Sequence, residues 1–189
     1  YYTLDGSEPT EASTSYTTPL TIDRTLQLKA KAFKEGFRPS RTLTIQATKA
    51  ELNPGKQVAP TQQDTAYTYY EGVFSKVADI EKSPVVQRGV MAEPSLEKAM
   101  QEDHYAYIFT GWLKVPEDGV YGFMTASDDG SVLLIDGDMV VNNDGSHAAI
   151  PATGTIALQQ GFHSYRLLYF EDYEGQELKW GWKLPTASQ

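Results

Sequence analysis

The chain has 189 residues, with 25 acidic and 16 basic side chains, a formal charge of −9 and no cysteine. The lack of cysteine excludes disulfides, thiolate nucleophiles and thiolate zinc sites. An acidic chain without runs of Lys or Arg argues against nucleic acid and anionic membranes as partners. No stretch of about 18 apolar residues is present, so we expect no membrane insertion.

Residues 1–48 are predicted to form a small β-module. The stretch "YYTLDGSEPT" is typical of a short strand that runs into a turn. "LTIDRTLQLKAKAF" alternates apolar and polar residues, and "RTLTIQAT" follows the turn "EGFRPS" as a last strand. Three or four strands in so few residues indicate a partial sandwich.

The stretch "KAELNPGKQVAPTQQD", residues 49–64, is polar and contains both Pro and Gly, so it is predicted to be a linker. From residue 65 to residue 189, strand patterns recur at regular spacing between turns rich in Gly, Asp and Asn, which predicts an antiparallel sandwich or barrel. The pattern of "SLEKAMQEDH" fits either a weak helix or an extended loop.

The stretch "SDDGSVLLIDG" places Asp128 and Asp129 side by side at the start of an apolar strand. Their oxygens suit calcium, which binds six to eight oxygen ligands. By spacing alone, however, an Asp-Asp-Gly sequence is typical of a hydrogen-bonded turn. Motifs of glycosidases, zinc hydrolases and nucleophile-elbow enzymes are not evident, so we expect the chain to be non-catalytic.

The alternation of inward and outward positions along each strand predicts which aromatic side chains are buried and which are exposed. Trp112 is predicted to face outward, where it can stack on a sugar ring or lie under a neighbouring domain. Trp180 and Trp182 are predicted to pack in the core, and His163 to be structural. Further candidate sugar-stacking residues are Tyr69, Tyr70 and Tyr173.

The sequence from "FTGWLKVPEDGVYGFMTASDDGSVLLIDGDMVVNNDGSH" to "GTIALQQGFHSYRLLYFEDYEGQELKWGW" resembles the PA-fourteen (PA14) domain, a β-sandwich family. The match runs from about Ala66 to Pro185. In the sugar-binding adhesins of this family, an Asp pair joined by a cis peptide chelates calcium, which grips sugar hydroxyls. The resemblance therefore implies Asp128 and Asp129 as ligands of calcium, with Glu171 at the position of an adhesin asparagine.

The same resemblance implies further residues of a carbohydrate site. Asn143, Asp144 and His147 would lie in a loop beside the Asp pair, where they either line the sugar site or hydrogen-bond the turn.

The N-terminal sequence "YYTLDGSEPT…YTTPLTI…TLQLKAKAFKEGFRPS" resembles the chitobiase/β-hexosaminidase C-terminal domain, an immunoglobulin-like module. The expected fold is all-β, with a partial immunoglobulin-like sandwich followed by a PA-fourteen sandwich or barrel.

In the chitobiase/β-hexosaminidase family, the C-terminal module follows a glycosidase barrel. The resemblance therefore implies an upstream catalytic domain of a bacterial β-N-acetylhexosaminidase type. The chain itself begins within a strand-like run and carries no targeting signal. We expect a piece of an extracytoplasmic protein.

Two functions of different kinds follow. One is an accessory region that binds glycan, with N-acetylglucosamine-containing sugars as the first candidates. The other is a structural or interaction module that braces the catalytic domain or mediates assembly without binding sugar.

Overall fold

Antiparallel β-strands make up almost all regular structure in the computed structural model of this chain, which describes residues 1–57, 60–61 and 64–185. Residues 58–59 and 62–63 of the predicted linker, and residues 186–189 at the end of the predicted region 65–189, lie outside the described residues. The chain divides into two units, Tyr1–Glu51 and Leu52–Gln189. Within the described ranges, no helix is long and apolar enough to cross a membrane.

The first unit contains one small antiparallel sheet. Its strands are β1 (Tyr2–Thr3), β2 (Leu26–Ala30) and β3 (Leu43–Ala47), in that order across the sheet. Among the residues described in this unit, only Pro9 and Leu26 are buried. The three strands agree with the partial sandwich expected from the sequence, and the sheet encloses very little core.

The second unit is built from two antiparallel sheets. One has the strand order β5-β4-β6-β11-β8-β9 and the other the order β10-β7-β12. The strands are β4 (Thr65–Glu71), β5 (Val85–Met91), β6 (Tyr105–Val115), β7 (Gly119–Asp128), β8 (Ser131–Ile135), β9 (Asp138–Asn143), β10 (Ile150–Leu158), β11 (Gly161–Glu171) and β12 (Glu177–Lys183).

The main core lies between these two sheets. Phe109 of β6 and Leu167 of β11 come from one sheet, and Tyr121 and Phe123 of β7 come from the other. Alternate residues along β6 therefore face this core, as the sequence pattern predicted. The predicted β-sandwich is confirmed.

A second cluster covers part of the outer face of the six-stranded sheet. The 3₁₀ helix Val77–Lys82, which no sequence pattern indicated, contributes Ile80 to this cluster. Ala106, Ile108 and Phe170 pack against it from β6 and β11. These two strands consequently bury both of their faces at one end.

The strand register brings several strand ends to the same edge of the sandwich. Along β6 and β11, Tyr105 pairs with Glu171. The end of β7 at Asp128 pairs with Glu177 of β12, and Ser131 of β8 pairs with residues of both β9 and β11. The loops that leave these ends therefore meet at one end of the sandwich.

Two local expectations have clear outcomes. Residues 95–104 contain turns and bends but no helix, so the loop alternative was correct. Within the predicted linker, Asn53 forms a bridge with Leu158, and Lys56 forms one with Phe162. This part of the segment belongs to the second unit, because its main chain hydrogen-bonds to β10 and β11.

The close approach of β9 and β10 generates a stability prediction. A Cβ at Gly154 would collide with the main-chain oxygen of Val140, whereas one at Gly181 in the same sheet meets no atom within 4 Å. We expect Gly154→Ala to lower the free energy of unfolding by about 2 kcal/mol or more, because the backbone has to shift. Urea unfolding followed by tryptophan fluorescence measures this change.

Gly181→Ala is the matched control for that experiment. It should change stability by less than about 1 kcal/mol, since the added methyl group enters open space. Equal effects of the two substitutions would contradict the packing of β9 against β10.

Candidate metal and glycan site

The Asp-Asp turn connects β7 to β8 at the edge where the strand ends meet. The peptide bond between Asp128 and Asp129 is cis, which is the conformation that the family resemblance implied. Asp129 is only 4% exposed, and Asp128 is half-buried. The pair is therefore part of the folded end of the sandwich and not a solvated surface turn.

Main-chain amides from two other loops hold the Asp129 carboxylate. Its Oδ1 accepts a hydrogen bond from the amide of His147 at 2.8 Å. Its Oδ2 accepts one from the amide of Asp172 at 2.8 Å and a longer one from Tyr173 at 3.4 Å. Because a carboxylate oxygen carries two lone pairs, these bonds leave acceptor capacity on the group.

The Asp128 carboxylate is held in a similar way. Its Oδ2 accepts a hydrogen bond from the amide of Ala149 at 3.1 Å. Its main-chain oxygen accepts one from the hydroxyl of Tyr169 at 2.7 Å. The turn thus connects the β9–β10 loop to the end of β11.

Glu171, the last residue of β11, brings a third carboxylate to the Asp pair. Its side chain is fully buried, and its Oε2 accepts a hydrogen bond from the Tyr169 hydroxyl at 2.9 Å. Its Oε1 is buried without a hydrogen-bond partner among the described residues. One oxygen each of Asp128, Asp129 and Glu171 lies within 4.8 Å of the other two.

The electrostatics of the group follow from this crowding. Burial raises the pKa of Glu171 to about 7, and the nearby charges of Asp129 and Asp128 act in the same direction. The hydrogen bond from Tyr169 opposes the rise. Burial, which is the largest cause, and the two aspartate charges disfavour the ionised carboxylate, so the group is destabilised near neutral pH unless a proton or a cation compensates it.

The donor set fits a hard divalent cation. Calcium binds carboxylate and carbonyl oxygens in loose geometry, and three carboxylates with an unused buried oxygen offer such ligands. In the parts of the chain that the structure describes, this is the one group of three acidic or histidine side chains close enough to hold a metal ion. These three residues can therefore hold a metal.

The β9–β10 loop contains the other predicted carbohydrate residues. Asn143 is 6% exposed, and its amide donates to Ser127 Oγ at 3.1 Å and to the main-chain oxygen of Ile150 at 3.0 Å. Asp144 accepts a hydrogen bond from the amide of Val77 at 2.8 Å. His147 is half-buried, and both ring nitrogens lie within hydrogen-bond distance of main-chain oxygens. These side chains organise the loop beside the Asp pair.

The structure does not bring Trp112 to the Asp pair. Trp112 lies in β6 opposite Ser164, seven residues from Tyr105. This separation corresponds to about 23 Å along the strand. Its indole is half-buried, and Lys56 Nζ lies 4.3 Å from the ring centroid. The outward orientation was predicted correctly, but the residue lies far from the loops.

The three tyrosines that were candidates for sugar stacking differ in their exposure. Tyr173 lies beside the Asp pair and is 66% exposed. Tyr69 and Tyr70 are buried, so their interpretation as sugar-stacking residues was wrong. The reason is that one faces the main core and the other faces the cluster around the 3₁₀ helix.

Two structural predictions concern the far part of the sandwich. Trp180 packs against the main core with its ring 5.0 Å from that of Tyr165, as predicted, but Trp182 is 36% exposed. His163 is fully buried and lies 2.5 Å from Asp136, which agrees with a structural role.

Sequence reasoning missed three residues of the site. The Tyr169 hydroxyl lies within hydrogen-bond distance of both the Glu171 carboxylate and the Asp128 main-chain oxygen, and its one proton serves these two acceptors. Asp172 supplies an amide to Asp129, and Asp103 accepts a hydrogen bond from the amide of Glu174. The alternation of β11 points Tyr169 inward, which is the one signal that could have identified it.

Comparison with known families identifies both parts of the chain. Residues 63–189 match the family model of the PA14 domain, and residues 1–44 match that of the chitobiase/beta-hexosaminidase C-terminal domain. Since the first match covers more than half of the chain, the chain belongs to the PA14 domain family. The resemblances predicted from the sequence are confirmed.

Among curated proteins, the chain is similar to the beta-hexosaminidase of Porphyromonas gingivalis (strain ATCC BAA-308 / W83). The two are 29% identical over 186 residues, which is 92% of this chain and 23% of the relative. The chain thus spans about a quarter of the length of that relative.

Solved structures with the same fold include two described as adhesin domains. A PA14 sugar-binding domain from an RTX adhesin has a TM-score of 0.52 and 19% identity, over 64% of this chain and 89% of that chain. The A domain of epithelial adhesin 9 from Candida glabrata, in complex with Galb1-3GlcNAc, has a TM-score of 0.54 and 10% identity, over 75% and 91%. An anti-sigma factor domain-containing protein has a TM-score of 0.55 and 19% identity, over 67% and 44%.

The raised pKa of Glu171 generates a prediction for the metal-free protein. Between about pH 4.5 and pH 7 the folded state keeps a proton that the unfolded state loses, so the free energy of unfolding falls as pH rises. Glu171→Gln cannot ionise and should escape a penalty on the order of 2–3 kcal/mol by pH 8. Urea unfolding at pH 5, 6, 7 and 8 in chelator measures the difference between the two proteins.

Glu93→Gln, at an exposed glutamate outside the group of three carboxylates, is the control and should follow the wild type at every pH. If the difference between wild type and Glu171→Gln does not change with pH, the proposed burial of a neutral carboxyl is wrong.

Proposed function

We propose that this chain is a non-catalytic accessory region that binds carbohydrate for a secreted glycoside hydrolase of the β-N-acetylhexosaminidase type. The site is the end of the PA14 sandwich where Asp128, Asp129 and Glu171 meet. Calcium is the proposed metal, and glycans that contain N-acetylglucosamine are the proposed ligands. The assigned regions are 1–48 for the immunoglobulin-like module, 49–64 for the linker and 65–189 for the PA14 domain.

The convergence of three carboxylates carries this proposal. A turn that serves only the fold needs acceptors for main-chain amides, and Asp128 and Asp129 fill that role. Glu171 adds a third negative charge with a buried oxygen that no described donor satisfies. A buried, unpaired carboxylate destabilises a fold, so its place here is best explained by a cation.

The surrounding loops suit a shallow glycan site. A bound calcium ion supplies open coordination positions for sugar hydroxyl oxygens. Tyr173, with 66% of its side chain exposed, offers an aromatic face to the apolar side of a sugar ring. Asp144 and His147 shape the neighbouring loop. Two structures with the same fold, one described as a sugar-binding domain and one in complex with Galb1-3GlcNAc, support the same class of ligand.

The similarity to a beta-hexosaminidase supports the proposed parent enzyme and an upstream catalytic domain in the same chain. A weak glycan site linked to a catalytic domain raises the local substrate concentration and needs no chemistry of its own. Such an enzyme would work outside the cytoplasm, where its glycan substrates are found.

A second candidate function is a structural brace for the catalytic domain or for assembly, without sugar binding. The amides of three loop residues bound to the Asp pair favour it, because these hydrogen bonds order the loops without any ligand. Calcium and glycan titrations distinguish the two functions.

We expect calcium to stabilise the protein. A ligand at about 100 times its dissociation constant adds about 2.7 kcal/mol to the free energy of unfolding, which corresponds to a rise in Tm of several degrees. Glu171→Gln should lose most of this rise, because it removes one charged ligand from the group. Differential scanning calorimetry in calcium and in chelator measures it.

Glu93→Gln is again the matched control and should retain the full calcium effect. An unchanged Tm of the wild type in calcium would exclude the metal site.

We also expect N-acetylglucosamine oligosaccharides to bind in calcium and to lose binding in chelator. Tyr173→Ala should weaken that binding about tenfold, the loss expected for one aromatic stacking contact. Isothermal titration calorimetry with chitotetraose measures both effects, and Tyr16→Ala, at an equally exposed tyrosine of the first unit, is the control. If calcium raises Tm but no oligosaccharide binds, the brace is the better function.

A further inference from the structure

Four loop segments form a continuous wall around the Asp pair, which we call the acidic rim: residues 102–104, 128–130, 144–149 and 171–177. Hydrogen bonds tie the segments together. Asp129 accepts from residues of the third and fourth segments. The amide of Glu174 donates to Asp103, and the side chain of Gln176 donates to the main-chain oxygen of Glu102. The charges of the rim are therefore held close to the proposed glycan site.

The rim is strongly one-sided in charge. It contains nine carboxylates and neither Lys nor Arg. The carboxylates are those of Glu102, Asp103, Asp128, Asp129, Asp144, Glu171, Asp172, Glu174 and Glu177. Lys179, just past the rim, lies 2.7 Å from Glu177, which is the only rim carboxylate with a Lys or Arg ion pair within the described ranges. One divalent cation would neutralise only part of this charge.

Two further features of the rim point to a ligand with positive charge. Glu171 Oε1 is buried at the base of the rim, and no residue that the structure describes gives it a hydrogen bond. Tyr173 is 66% exposed above the Asp pair, and its amide lies 3.4 Å from Asp129 Oδ2. An exposed aromatic ring attracts ammonium groups through its negative face, and carboxylates around it add charge-assisted hydrogen bonds.

We infer that the acidic rim selects glycans with free amino groups, such as glucosamine oligosaccharides, over their N-acetylated counterparts and rejects glycans with carboxylates. This inference rests on the proposed function and names the ligand class of the same site. The summed negative potential concentrates cationic ligands and repels anionic ones. Neutral glycans, including N-acetylated ones, interact through hydroxyl groups, amide groups and ring faces, so they lack the net attraction that an ammonium group gains from the rim charge.

The test compares three tetrasaccharides by isothermal titration calorimetry on the full chain in calcium, in slightly acidic buffer where the glucosamine amines are protonated. They are tetramers of glucosamine, of N-acetylglucosamine and of galacturonic acid. At low ionic strength, the glucosamine tetramer should bind about tenfold more tightly than the N-acetylated one, and this advantage should shrink in salt. The galacturonic acid tetramer should give no binding.

A pair of double variants locates the effect. Glu102→Gln with Glu174→Gln removes two exposed rim charges and should reduce the affinity for the glucosamine tetramer about tenfold. The N-acetylglucosamine tetramer should bind as before. Glu93→Gln with Glu117→Gln removes the same charge from exposed positions outside the rim and should change neither affinity.

The outcomes separate this inference from the proposed function. If the N-acetylglucosamine tetramer binds but the glucosamine tetramer is no tighter, or the galacturonic acid tetramer binds equally well, amino-group selection is wrong and glycan binding stands. Equal losses in both double variants would also overturn it, because net charge alone would then explain the preference. If no tetrasaccharide binds, the proposed function itself fails.

Discussion

Three carboxylates held close together at one end of a β-sandwich are the constraint on which this region depends. Asp128, Asp129 and Glu171 repel one another, and Glu171 is removed from water. Main-chain amides of the neighbouring loops offset part of this cost because they donate to the Asp pair. The loops therefore take their conformation from the carboxylates, and the carboxylates keep their geometry because of the loops.

The sheets deliver these residues to one place through strand register. The pairing of Tyr105 with Glu171 fixes the end of β11, and Tyr169, two residues earlier on the same face, reaches both Glu171 and the Asp128 main chain. Burial raises the pKa of Tyr169 far above its usual value, so its hydroxyl remains a donor at any physiological pH. The buried Tyr169 therefore positions Glu171 and the Asp128 main chain, and the amides of the loops position the Asp129 carboxylate.

Alternation along the sequence predicted much of the fold because the pleat points successive side chains to opposite faces. It placed Phe109 inward and Trp112 outward, both correctly. It could not show that the outer face is covered at one end, and the buried Tyr70 resulted from that cover. It also could not show at which end Trp112 lies, since that depends on pairing between distant strands.

Part of the candidate site could be predicted because it lies in one short stretch of sequence. The Asp pair is contiguous in sequence, and the family resemblance supplied Glu171 by position. The hydrogen bonds of Asp103 and Asp172 depend on loops that meet only in the folded chain, so no local pattern revealed them.

A purely structural role explains only part of this arrangement. Asp129 accepts main-chain amides on both of its carboxylate oxygens, which an asparagine cannot do. Asp128 accepts only one, and an asparagine there would keep that acceptor without the repulsion. Glu171 contributes one accepted hydrogen bond from Tyr169, which a glutamine can also accept. It also adds charge and an oxygen that no donor in the described part of the chain satisfies. A fold selected for stability alone gains nothing from that third charge. A site that must bind a cation requires it, because the charge that destabilises the empty group is the charge that binds the ion.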